Sequence, residues 1–101
     1  MSIEEIVLCI GGGDYDTGLS ILSNLAHSLA IAESKHPESG ENSWDSINLD
    51  EAINIVLEEA MELMQAVVYK EGFDRVKAEL LDTMVTGIRY LRKIKKENKN
   101  G

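Results

Sequence analysis

The sequence contains 101 residues, which we interpret as a single domain over 1–101 with a core small enough to favour oligomerisation. Its 18 acidic and 10 basic residues give a net charge of -8, which argues against nucleic-acid binding. We also expect no membrane partner and a cytoplasmic location. Neither a signal peptide nor an apolar run of membrane-spanning length is present, and the single cysteine, Cys9, excludes an internal disulfide.

A short first helix is predicted over Ile3–Ile10. Ser2 and Glu5 form a capping box in front of apolar residues at helical spacing. The three glycines at 11–13 end this helix, and we interpret segment 1–13 as a short helix followed by a hinge. A hinge is favoured over a phosphate-binding loop because no Gly-Lys-Ser/Thr follows the glycines and their spacing does not match G-x-G-x-x-G. We expect the Cys9 thiol to be buried and inert.

A second helix is predicted within segment 14–37. Asp14 or Asp16 can cap it, and leucines and alanines recur every three or four residues from about 17 to 35. Pro37 restricts the residue before it and so ends the helix. Residues 38–43 then form a predicted loop.

Two longer helices are predicted over 49–72 and 74–96. Asn48 and Glu51 form the capping box of the first, which should run to about residue 71 and end at Gly72. The basic residues near 96 suit a helix C-terminus. Because only a short turn separates the helices, the sequence predicts an all-α helical bundle with a long antiparallel helix hairpin, completed by oligomerisation.

Helical projection divides each long helix into faces. On the first, the stripe that we expect in the protomer core consists of Ile53, Val56, Leu57, Ala60, Met64, Val67 and Val68. A second apolar face should meet another helix or another subunit, and it consists of Ala52, Ile55, Leu63 and Ala66. Glu59 and Glu62 fall on this second face. The expected core stripe of the last helix is Phe73, Val76, Leu80, Met84, Gly87, Leu91 and Ile94.

Acidic residues recur on both long helices at a spacing that suits a metal site. Glu59 and Glu62 are three residues apart, and so are Glu79 and Asp82, so each pair projects from one helix surface. An antiparallel hairpin would bring the two pairs to similar height. A hard cation such as Mg²⁺, or alternatively Mn²⁺, would relieve their mutual repulsion. Spacing alone also allows chance occurrence in an acidic chain, with Glu79 in an ordinary ion pair to Arg75.

Glu-x-x-Glu followed by Glu-x-x-Asp on consecutive helices resembles the signature of the all-α NTP pyrophosphatase superfamily. That group includes the MazG-like proteins, the dimeric dUTPases and the phosphoribosyl-ATP pyrophosphatases. The matching residues, over about 43–91, are Glu59-Ala-Met-Glu62, Glu79-Leu-Leu-Asp82, the preceding Glu58, and Trp44-Asp45 upstream.

The resemblance implies Mg²⁺-dependent hydrolysis of a nucleoside triphosphate, NTP or dNTP, to a monophosphate and pyrophosphate. It assigns the metal ligands as Glu59, Glu62, Glu79 and Asp82. Glu58 is the candidate general base or an outer ligand. The family also implies assembly as a homodimer or homotetramer, which agrees with the second apolar face.

Four further residues are candidate substrate contacts: Trp44, Lys35, Arg89 and Lys93. Family members often continue past the last helix with a basic segment, and this sequence ends near that point. Arg89, Arg92 or Lys93 could replace it as phosphate contacts, although we expect these residues to form a solvated helix end. Lys35 could equally belong to a helix terminus, and Trp44 could stack on a base or plug the loop against the bundle.

Two other functions compete with the enzyme. The first is a non-catalytic oligomerisation or regulatory module that retains the fold. The second is a di-iron bundle, which needs two Glu-x-x-His motifs. The chain has one, from Glu33 to His36, so this function is disfavoured.

Overall fold

The computed structural model describes residues 1–40 and 43–100, and of residues 99 and 100 the backbone alone. Two residues of the predicted loop, 41 and 42, lie outside this range. The described elements are α1 (Ile3–Ile10), α2 (Tyr15–Lys35), a 3₁₀ turn (Trp44–Ser46), α3 (Leu49–Val68) and α4 (Phe73–Asn100). No strand occurs among the described residues, so the all-α prediction is confirmed. None of these helices has both the length and the apolarity needed to cross a membrane.

The helix starts lie where the sequence places its caps. Each of the first three helices begins after a polar residue whose side chain accepts a hydrogen bond from a backbone N–H three residues later, which satisfies a donor that the helix leaves free. The capping pairs are Ser2 with Glu5, Asp14 with Thr17, and Asn48 with Glu51. Asp14, not Asp16, therefore caps α2.

The end of α3 differs from the prediction. The helix stops at Val68, three residues before the predicted end, because Lys70 adopts a left-handed conformation with φ of 52°. The N–H of Lys70 then bonds to the Val67 carbonyl and that of Glu71 to the Ala66 carbonyl. These two bonds form a Schellman motif, which glycine usually ends. Gly72, at φ of 104°, instead belongs to the turn into α4.

The glycines at 11–13 and Gly18 join α1 to α2. Gly12, at φ of 63°, ends α1 in the left-handed conformation. The two helices approach so closely that a Cβ on Gly18 would lie 2.0 Å from the Val7 carbonyl oxygen. Val7 is buried in this contact, whereas Cys9 is exposed, so the prediction of a buried thiol is wrong.

The inward face of α3 is the opposite of the predicted one. Four residues of the expected core stripe are more than half exposed: Leu57 53%, Met64 57%, Val67 56% and Val68 65%. Ala52 and Ala66, from the second face, are fully buried. Small alanine side chains allow another helix to approach closely, and α3 makes its main contact with α4. The face that carries Glu59 therefore faces the protomer interior.

The same reversal occurs on α4. Its expected core stripe is largely exposed, with Phe73 at 87% and Leu91 at 59%. The buried residues are instead mostly charged: Glu79, Val85, Arg89 and Lys93. Buried charges need partners inside the protein. Glu79 pairs with Arg75 of the same helix, Arg89 reaches α2, and Lys93 reaches the 3₁₀ turn. Hydrophobic pattern alone therefore identifies two faces but does not show which one turns inward.

Candidate metal centre and adjoining cavity

Three of the predicted ligands meet between α3 and α4. Glu59 from α3 and the pair Glu79 and Asp82 from α4 each offer a carboxylate oxygen, and these oxygens all lie within 4.8 Å of one another. The spacing of three residues places Glu79 and Asp82 on one side of α4. Glu59 reaches them because its face of α3 is turned inward. The contact between the helices thus builds an acidic cluster from residues distant in sequence.

Glu59 and Glu79 hold their protons more tightly than isolated carboxylic acids do, since both have a raised pKa. Partial burial and the nearby charges of Glu62, Asp82 and Glu79 raise the pKa of Glu59 to about 7. Burial also raises the pKa of Glu79; Arg75 opposes this shift, and Glu62 and Asp82 add to it. Negative charge therefore accumulates in the site only at a free-energy cost, which a bound cation would offset.

The surroundings of Glu79 give separate evidence that the cluster binds a cation. Its side chain is 3% exposed, and its Oε1 pairs with the Arg75 guanidinium at 2.8 Å. Its Oε2 is buried and has no hydrogen-bond partner. Buried polar atoms are nearly always satisfied in folded proteins, so such an atom requires an explanation. A cation between the carboxylates would satisfy it.

The donor set suits Mg²⁺. All three ligands are carboxylate oxygens, which hard divalent cations prefer, and Mn²⁺ accepts the same donors. The cluster contains no histidine or cysteine, the ligands typical of structural zinc sites. The residues present therefore fit the predicted cation.

Glu62 and Glu58 stand outside the three-residue cluster. Glu62 is exposed and does not join the set, although its charge contributes to the raised pKa of Glu59 and Glu79. It therefore lies near the cluster, and its role as a ligand stays a prediction. Glu58 is exposed and lines neither the cluster nor the cavity described next. Its role as general base also stays a prediction.

A cavity of about 400 Å³ opens beside the cluster. Glu59 and Asp82 lie in its wall, so the carboxylates and the cavity form one continuous site. Its other walls come from α2, the 3₁₀ turn and its flanks, and α4. The apolar part of the lining consists of Ile31, Ala32, Trp44, Ile47, Ile55 and Val85. Hydroxyl groups from Ser28, Ser43 and Thr86 add hydrogen-bonding capacity. Mostly apolar walls with a few polar groups are typical of small-molecule sites.

The candidate substrate contacts have different positions. Trp44 is 6% exposed and lines the cavity, while Lys35 is exposed and also lines it. Arg89 lines the cavity but is 1% exposed, and Lys93 is 6% exposed and bonds to the Trp44 carbonyl. The expectation of a solvated helix end is therefore wrong for Arg89 and Lys93. They are buried because they find acceptors within the chain.

Glu38 is a residue that sequence reasoning missed. Its carboxylate lies 3.5 Å from the nitrogens of three basic residues of α4: Arg89, Arg92 and Lys96. More than fifty positions separate Glu38 from each of them in the sequence. No local spacing could reveal such a contact, and only the packing of the loop on α4 creates it.

Comparisons of the chain with models of protein families, with curated proteins and with solved structures find no match. The chemistry of the site is therefore inferred from its own residues.

Proposed function

We propose that the protein is a Mg²⁺-dependent nucleoside triphosphate pyrophosphohydrolase that releases pyrophosphate and a nucleoside monophosphate. One observation carries this proposal: the buried, unpartnered Oε2 of Glu79 lies in a three-carboxylate cluster that opens into a cavity of about 400 Å³. A cluster without the cavity would suit a structural ion. The combination suits a metal that meets a ligand at one end of a pocket.

In the proposed enzyme, the carboxylates bind the metal and the cavity walls bind the nucleoside. Glu59, Glu79 and Asp82 would hold the metal, which when bound neutralises phosphate charge and lowers the pKa of an attacking water. The apolar walls, including Trp44, offer a surface for an aromatic base. Lys35, exposed at the cavity, offers a cation to a phosphate. Glu62 lies beside the cluster as a further metal or water ligand.

The direct test is pyrophosphate release from a panel of NTPs and dNTPs with Mg²⁺ or Mn²⁺, against EDTA. We expect release from at least one nucleotide, metal dependence, and no free phosphate as first product. Isothermal titration distinguishes the enzyme from the non-catalytic alternative, since a pure oligomerisation module should bind neither Mg²⁺ nor a nucleotide. Absence of hydrolysis and binding in well-folded protein would refute the proposed function.

We further propose that α3 and α4 form an antiparallel hairpin whose outer surface binds a second copy of the chain. This surface, the outer stripe, consists of Leu57, Met61, Met64 and Val68 of α3 and Leu80, Met84 and Leu91 of α4. All seven are exposed, with relative accessibilities between 37% for Met84 and 65% for Val68. The α3 residues recur at steps of three and four, and the α4 residues at steps of four and seven, as in helix–helix seams.

The dimensions of the chain agree with a missing partner. Its radius of gyration is 15.4 Å, against about 13 Å for a compact chain of this length. Its accessible surface is 7192 Å², which exceeds the surface of a typical folded monomer of 11.2 kDa by about 1,500 Å². A stable interface buries about 800 Å² on each partner. The excess surface is therefore large enough for a homodimer, or for a homotetramer if α1 and α2 also pair.

Met64→Glu should separate the copies. A charge buried in the outer stripe would weaken association by at least about 100-fold, because it would lose its hydration without gaining a partner. Gln65→Glu is the matched control. Gln65 is exposed, and this substitution adds the same negative charge beside the outer stripe. Light scattering after size exclusion gives the masses. A monomeric wild-type protein, or equal masses for both variants, would contradict the assignment of this surface.

A further inference from the structure

Four cations share one face of the C-terminal half of α4: Arg89, Arg92, Lys93 and Lys96. Lysine and arginine are rarely fully buried. Arg89 is nevertheless 1% exposed and Lys93 is 6% exposed, so both have given up their hydration. Such burial is tolerated only when the charge finds acceptors. The acceptors of Arg89 and Lys93 therefore indicate the role of this face of α4.

Arg89 joins the end of α2 to the ring of Trp44. Its guanidinium donates to the carbonyl oxygens of Ala32 and His36, which belong to the last turn and the cap of α2. A cation suits this position because the C-terminal end of a helix carries partial negative charge. The same guanidinium lies 5.1 Å from the centre of the Trp44 ring, within the range of a cation–π interaction.

Lys93 holds the backbone of the same residue. Its Nζ donates to the Trp44 carbonyl at 3.0 Å, a bond that lies wholly in the interior. Lys96, one turn later, reaches the carboxylate of the adjacent Asp45 at 3.4 Å. Both the ring and the main chain of Trp44 are therefore fixed by α4.

We propose that Arg89 and Lys93 are positioning residues that hold Trp44 as a wall of the nucleoside part of the cavity. The inference rests on the proposed function and assigns the two cations away from phosphate binding. Asp82 and Arg89 are seven residues apart on one helix, which corresponds to about 10 Å of rise. A single rigid helix thus sets the distance between the carboxylate cluster and the Trp44 wall, and with it the length of nucleotide that fits.

Trp44 is the sole tryptophan, so its fluorescence reports on this wall without any ligand. Lys93→Met and Arg89→Met should shift its emission to longer wavelengths and increase quenching by acrylamide, because the indole becomes more exposed to water. Lys93→Arg keeps a donor and should restore much of the wild-type spectrum. Lys95→Met, at an exposed position of the same helix, should leave the spectrum unchanged. Circular dichroism checks that each variant keeps its helices.

Kinetics test the link to the substrate. Loss of the bond from Lys93 should raise KM for the best nucleotide by about tenfold. The kcat and its dependence on Mg²⁺ should stay unchanged, because the carboxylates do not move. An unchanged KM in an active enzyme would overturn the inference, as would unchanged fluorescence in both methionine variants. Wild-type protein that releases no pyrophosphate would instead refute the proposed function, and the fluorescence would still decide whether the two cations hold Trp44.

Discussion

Asp82→Asn should lower pyrophosphate release by about 100-fold or more, since a lost metal ligand removes several kcal/mol of charge stabilisation from the transition state. Asp82 is the best ligand to change because it is exposed. Its substitution should therefore leave the fold intact, whereas Glu79 is buried and paired with Arg75. Initial rates at saturating nucleotide across a Mg²⁺ titration give the measurement.

Asp74→Asn is the matched control, because Asp74 is an exposed aspartate of the same helix outside the cluster. It should keep the wild-type rate. Comparable rates for the two variants would show that the cluster is not the catalytic metal site. Glu62→Gln, measured in the same series, decides whether the fourth predicted ligand belongs to the site.

The metal-free protein should lose stability as pH rises through neutrality. The pKa of Glu59 is about 7 in the folded chain, against an ordinary value of 4.5. Below the lower value the carboxyl is protonated in both states and the full stabilisation is present. Between the two values the folded state binds more protons than the unfolded state, so the free energy of unfolding falls with pH. After allowance for solvent screening, we expect a loss of about 2 kcal/mol from about pH 5 to about pH 8.

Urea unfolding across this pH range, in EDTA and in MgCl₂, measures the effect. Mg²⁺ should restore stability chiefly at the higher pH, where the carboxylates are ionised and able to bind it. Glu59→Gln should flatten the pH dependence in EDTA. The control Glu51→Gln removes one exposed carboxylate from the same helix. This variant should keep the wild-type pH dependence of stability in EDTA. If Mg²⁺ gave no stabilisation at the higher pH, the cluster would not be a metal site.

Local sequence signals predicted the helices well because their causes are local. The caps at Ser2, Asp14 and Asn48 act over three residues, and each helix begins where its cap predicts. The end of α3 was mispredicted for an equally local reason. Lys70 ends the helix in a conformation that usually requires glycine. Gly72, the glycine nearest to the expected end of the helix, therefore gave the wrong position for that end.

The orientation of the long helices could not be predicted in the same way. The more apolar face of α3 is the natural choice for a core, yet Ala52 and Ala66 on the other face are the buried ones. Which face turns inward depends on partners supplied by α2 and α4. The acidic cluster was predicted because helical spacing places its members. The contacts of Arg89 and Lys93 were not, because their acceptors are mostly carbonyl groups, which every residue carries, and the carboxylate that also pairs with Arg89, that of Glu38, is distant in sequence.

In the proposed enzyme, the unpartnered oxygen of Glu79 would lower the stability of the metal-free chain while serving its activity. Without a cation, its burial is a liability, and a neutral side chain of similar shape would remove it. Random mutagenesis screened for heat resistance alone, in the absence of metal, would therefore favour replacements of this residue that keep the packing around Arg75. Chains that retain a glutamate at this position do so against that tendency, which marks it as the residue to follow when the chain is evolved or redesigned.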